Sequence, residues 1–165
     1  TPNPTPTGFA PDAISLYHVN SGSIEYHTTH GLIEKIQGSG ADVSTLVTYT
    51  FGPTTAGKTC SIVLSFKGTS HTITSTDGSS LYVDIFSSLY YATHDTHDWP
   101  NGNGRNVHLG RLKVVDGGVS TVDQDYGLKF PCPTGQTLGY ELVPTGDRQH
   151  IEWSGNTEGP MMVVS

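Results

Sequence analysis

Charge is scarce in this chain. Asp, Glu, Lys and Arg make up 14% of its 165 residues, well under the roughly 25% of an ordinary soluble domain. Cations are scarcer still: Lys and Arg total 8 against 15 Asp and Glu, a formal net charge of −7 with neutral histidine. They never cluster, so no stripe neutralises phosphates, and neither nucleic acid nor an anionic membrane surface is expected as a partner. No apolar run approaches the ~20 residues of a spanning helix. Catalytic and cofactor motifs are missing too. There is no Gly-x-Ser-x-Gly elbow, Walker loop or His-Glu-x-x-His, so no cofactor is expected. The one Asn-x-Thr that begins a glycosylation signal, Asn3-Pro4-Thr5, carries the forbidden proline.

What is abundant is turn chemistry. Gly 20 and Pro 10, with Ser and Thr throughout, leave little room for long helices. Between the turns, apolar residues alternate with polar ones: Val47-Tyr49-Phe51, Ile62-Leu64-Phe66, Leu81-Val83-Ile85, Leu112-Val114, Leu128-Phe130-Cys132, Tyr140-Leu142, Ile151-Trp153 and Met162-Val164. Runs of period two, each bounded by Gly, Pro, Asp or Ser, predict an all-β fold, an antiparallel β-sandwich of jelly-roll type. Residues 31–38 (GLIEKIQG) are the one helix candidate, since Leu32, Ile33 and Ile36 would share a face. A strand fits nearly as well, because so short a helix is unstable alone. The length suits one domain, assigned to 11–165, behind a Thr/Pro-rich linker stub at 1–10, and a monomer is expected.

Only Cys60 and Cys132 are available for a disulfide. In a reducing compartment they would be two buried thiols; in a secreted chain they would pair. Low lysine, many hydroxyls, the Thr/Pro-rich start and an opening on Thr rather than Met favour a processed, secreted product. The bridge is therefore the expectation, tying elements far apart in sequence as an inter-sheet link would.

Three segments carry a family likeness. They are Ser80-Leu81-Tyr82-Val83-Asp84-Ile85-Phe86, then Asn106-Val107-His108-Leu109-Gly110-Arg111-Leu112, and a Cys132-Pro133-Thr134-Gly135-Gln136 turn leading into Tyr140-Glu141-Leu142. Together these resemble the fungal But-type C-terminal domain, over roughly Ile62 to Trp153. The family label comes from a yeast protein that binds the activating enzyme of a ubiquitin-like modifier, and many members look secreted. The resemblance implies no catalytic residues. Within it, Pro131 and Pro133 hold the backbone around Cys132 while Gly135 supplies the turn, a structural use.

Within the stretch 90–104 (YYATHDTHDWPNGNG), the His/Asp insertion at 94–98 is not part of that pattern, and its meaning is read from chemistry. Tyr90, Tyr91 and Trp99 cannot all enter the core from a Gly/Asn-rich loop. Rings presented on loops of a rigid sandwich stack on sugar faces, while Asp95, Asp98, Asn101, Asn103, Arg105 and His108 would take hydroxyls. Against this stand an ordered turn with Trp99 capping the core, and Arg105 and His108 spent on loop carbonyls. His94 and His97, with Asp95 or Asp98, have weak metal-ligand spacing; a metal ranks third and none is assigned. The close pairs His27/His30 and His94/His97 would each resist a second proton.

The expected function is a secreted, extracellular fungal module of the cell wall that binds a polysaccharide or other glycan without catalysis. One alternative is a glycoside hydrolase using a carboxylate pair among Asp84, Asp98, Glu141 and Glu152. Another is a protein-interaction module. Asp84, Glu141 and Glu152 each lie between apolar neighbours, so each is expected to point away from its strand's buried face.

Overall fold

The computed structural model describes residues 7–26, 28–36, 42–74, 81–92, 104–145, 148–155 and 157–165. Among these the chain forms fourteen strands: β1 Thr7–Phe9, β2 Ala13–His18, β3 Ser23–Glu25, β4 His30–Ile36, β5 Val43–Thr50, β6 Thr59–Ser65, β7 His71–Thr74, β8 Tyr82–Ser88, β9 Arg105–Lys113, β10 Thr121–Asp125, β11 Lys129–Pro131, β12 Thr137–Pro144, β13 Arg148–Ser154 and β14 Gly159–Val164. The described residues hold no α-helix, only a 3-10 turn at Pro53–Thr55. The strand pairings among the described residues are antiparallel, beginning with β1 against β14, where Thr7 lies opposite Val164.

The strands sort into two sheets. Four of them run in the order β1-β14-β6-β11, and the larger sheet runs β10-β9-β8-β12-β5-β4-β13-β7, with β2 pairing β5 and β3 pairing β2. The two sheets curl around one core and form the sandwich expected from the alternating runs.

All eight alternating runs became strands or strand ends, for the reason that made them legible. On β6, Cys60, Ile62 and Leu64 are buried while the residues between them are not. On β8, Val83 and Ile85 face inward in the same way. The core joins these to Tyr49, Phe51, Phe66, Leu142, Ile151, Trp153 and Met162. β5 departs from the alternation and is buried on both faces from Val43 to Tyr49. Its inner face meets the core, and at Thr48 its outer face meets the segment that follows β8, where Thr48 Oγ1 donates to the Ala92 carbonyl at 2.6 Å.

Three expectations change. Residues 31–36 of the helix candidate lie in β4, which pairs with β13 from Ile36–Arg148 to His30–Ser154. Two turns of helix could not offset the cost of nucleation, whereas β13 supplies a partner along the whole segment. The stretch 7–10, assigned to the linker stub, is part of the sandwich from Thr7 to Phe9. There β1 pairs with β14, and the Phe9 ring meets Tyr49 and Phe51 edge-on.

The third change concerns the disulfide, which is present between Cys60 and Cys132 but does not join the two sheets. Phe130 lies opposite Cys60 and Pro131 opposite Thr59, so the bridge closes neighbouring strands of the smaller sheet. It also anchors the crossover to β12, where the Phe51 N–H donates to the Gln136 carbonyl and the Gly135 N–H to the Phe51 carbonyl.

Candidate functional site

The outer face of the large sheet gathers the chemistry. On β8 the inward residues are Val83 and Ile85, so period two turns Asp84 and Phe86 outward. Across the ladder, Phe86 is opposite Glu141 on β12, and Asp84 is opposite Arg111 on β9. A register shift between Ile85 and Phe86 then puts His108 opposite Phe86. Such a bulge re-aims a side chain; without it, His108 would face the core. Gly110 makes the bulge possible, because a Cβ there would run into the Gln124 carbonyl oxygen and the Leu128 side chain.

These residues form a continuous strip. Arg105 clamps Glu141 through two bonds, Nε to Oε1 at 3.1 Å and Nη2 to Oε2 at 2.7 Å. Its guanidinium carbon lies 4.7 Å from the Phe86 ring centroid, within cation–π range. Phe86 stacks on His108 at 4.7 Å between centroids, and His108 meets Tyr126 edge-on at 5.3 Å. Arg111 repeats the clamp on Asp84, with Nε to Oδ1 at 2.8 Å and Nη2 to Oδ2 at 3.3 Å. His108 Nε2 lies 3.3 Å from Asp84 Oδ1 and 3.1 Å from the Gly110 carbonyl. Both neighbours are acceptors, so this nitrogen carries the proton in the neutral ring. The hydrogen bonds to Glu141 and to Asp84 raise the pKa of Arg105 and Arg111 respectively, against the opposing effect of burial.

The segment after β8 crosses the same face. Gly139 admits it: a Cβ there would collide with the Tyr90 carbonyl oxygen and crowd Tyr91. Tyr90 and Tyr91 are left 53% and 43% exposed, so neither ring is spent on the core. Asp95, Asp98, Trp99, Asn101 and Asn103 lie outside the described residues, as do His94, His97 and His27. Among the described residues, no cluster of three or more His, Cys, Asp or Glu could hold a metal.

Arg105 is the first residue of β9 and His108 follows on the same strand. Arg105 reaches a carboxylate rather than a loop carbonyl, while His108 faces a carboxylate and the Gly110 carbonyl of its own strand. Glu141 points away from the core as expected, yet its side chain is 1% exposed because Arg105 covers it. Asp84 and Glu141 share one face on adjacent strands, with Asp84 opposite Val143 and Glu141 opposite Phe86. Glu152 is elsewhere, exposed on β13 beyond β5 and β4. Sequence reasoning missed Phe86 and Tyr126 as members of the face. A signal for Phe86 existed: an aromatic ring at an outward position of a strand has no core to enter.

A family model described as the Ubiquitin 3 binding protein But2 C-terminal domain matches residues 13–158. No curated protein matches the chain significantly. The match spans β2 to the residue before β14 and takes in the strip, the bulge and the disulfide, so the chain belongs to the But2 C-terminal domain family.

Proposed function

We propose that this domain is a secreted, non-catalytic binding module of the fungal cell wall, and that it takes an uncharged glycan on the outer face of its large sheet. One observation carries the reading: the ring strip Phe86–His108–Tyr126 runs beside two self-neutralised Arg–carboxylate pairs. Tyr126, 61% exposed at the open end of the strip, and Tyr90 and Tyr91 offer faces to the C–H side of a sugar ring. The paired charges offer hydrogen bonds with no net charge, and the chain's −7 disfavours polyanions. In the same reading, Asp95, Asp98, Trp99, Asn101 and Asn103 would extend the surface from the loop.

The geometry gives less support to hydrolysis. A general acid must offer a proton to the glycosidic oxygen, and both Asp84 and Glu141 have each oxygen engaged by a guanidinium. The family description favours a second reading, a protein partner of ubiquitin-like type. Retention on insoluble chitin, β-glucan or mannan, with no soluble sugar released, supports the glycan reading. Tyr126→Ala and Tyr90→Ala should each weaken retention about tenfold, as loss of a binding hot spot does, with stability changed by less than about 0.5 kcal/mol. Retention on none of the three polymers, with saturable binding of a purified ubiquitin-like protein, would replace it by the second reading.

A further inference from the structure

The main path of the large sheet runs from β10 to β7, and a histidine of β7 reaches the turn that leads into β10. His71 is the first residue of β7. Asp116 lies in the turn between β9 and β10, and Glu158 immediately precedes β14. His71 Nδ1 is 2.7 Å from Glu158 Oε1, and Nε2 is 2.7 Å from Asp116 Oδ1. The imidazole is 7% exposed, while Asp116 is 65% exposed. Glu158 is buried and also accepts from the Gly68 N–H at 2.8 Å and the Ser70 N–H at 2.6 Å.

Among the described residues, these two carboxylates are the charged groups in contact with the ring. The other elements against it present Phe66, 5.2 Å away at the end of β6, and Trp153, its partner on β13. Lys67 beside Phe66 is exposed, and Glu152 on β13 pairs with Thr72, on the opposite face of the ladder. Donating to both carboxylates takes two N–H groups, and the neutral ring has one.

We infer that His71 is a proton-operated clasp: as imidazolium it joins β7 to the β9–β10 turn, and on losing its proton it releases Asp116. Asp116 is the partner released because water can replace the lost bond at an exposed carboxylate, whereas Glu158 is buried. The hydrogen bond to Asp116 is the largest influence raising the His71 pKa, with Glu158 adding to it and burial opposing. The turn that Asp116 belongs to is also tied to the small sheet. The Phe66 N–H donates to the Gly118 carbonyl and the Ser120 N–H to the Leu64 carbonyl, each at 2.8 Å. Opening the clasp loosens those two amides first.

The test is an NMR titration of the imidazole together with amide hydrogen exchange, in the wild type and in D116N, whose exposed side chain can change without unfolding the core. His71 should titrate above the ordinary histidine value in the wild type and closer to it in D116N. As wild-type His71 loses its proton, protection at Phe66 and Ser120 should fall about tenfold, while protection at Val47 in the core stays constant. In D116N the two amides should be weakly protected on both sides of the titration. Wild-type titration at or below the ordinary value, identical titration in D116N, or unchanged protection at Phe66 and Ser120 would each overturn the clasp.

Discussion

Glu141 and Asp84 are both clamped by an arginine, yet burial makes the two clamps unequal. Glu141 is 1% exposed and Asp84 16%. Removing Arg105 leaves a buried carboxylate unpaired, which costs about 3 kcal/mol; removing Arg111 leaves a carboxylate that water and His108 still reach, at about 1 kcal/mol. Urea unfolding of Arg105→Ala and Arg111→Ala should therefore rank the first as clearly the more destabilised. Equal losses would show that Glu141 is better hydrated than its burial implies. The outward direction of both carboxylates was legible from their apolar neighbours. Their arginine partners were not, because a pairing across strands depends on register.

At the scale of the element, the β9 bulge decides which face His108 joins. Gly110→Ala puts a methyl against the Gln124 carbonyl oxygen and Leu128, and should cost about 2 kcal/mol or more, as overpacking does. Gly52 is the contrast. It precedes the Pro53–Thr55 turn at φ −77° with open space around its Cβ position. Gly52→Ala should stabilise by about 0.5 kcal/mol by restricting the unfolded chain. Thermal unfolding of both variants checks the opposite signs. Hydrophobic period two identified β5, β6, β8 and β12, but β3, β7 and β10 carry too few apolar residues to announce themselves, and a bulge leaves no mark in that pattern.

For the whole molecule, the disulfide and the clasp set how stability responds to conditions. The bridge closes a separation of 72 residues, which on the chain-entropy model contributes about 4 kcal/mol. Reduction should lower the unfolding free energy by nearly that amount, and a loss below about 1 kcal/mol would mean that the unfolded chain is already constrained there. The pKa of His71 is raised in the folded state. Its stabilising contribution is full below the unfolded value near ~6.5 and is lost as pH rises through the folded value. The urea midpoint of the wild type should fall across that interval by more than that of D116N.

Sequence alone determined that this is a turn-rich, antiparallel β-sandwich of the But2 family type, with two cysteines placed to pair. Those properties are local or compositional: alternation, punctuation by Gly and Pro, and a motif read within a few residues. Tertiary structure decided the rest. It put the disulfide within one sheet, turned residues 30–36 into a strand, and brought Arg105, Phe86, His108 and Tyr126 onto one face. It also set Asp116, His71 and Glu158 against one another from three separate elements. The physical reason is register: which residue lies opposite which depends on the curl and bulges of the whole sheet, and a one-residue shift moves a side chain to the other face.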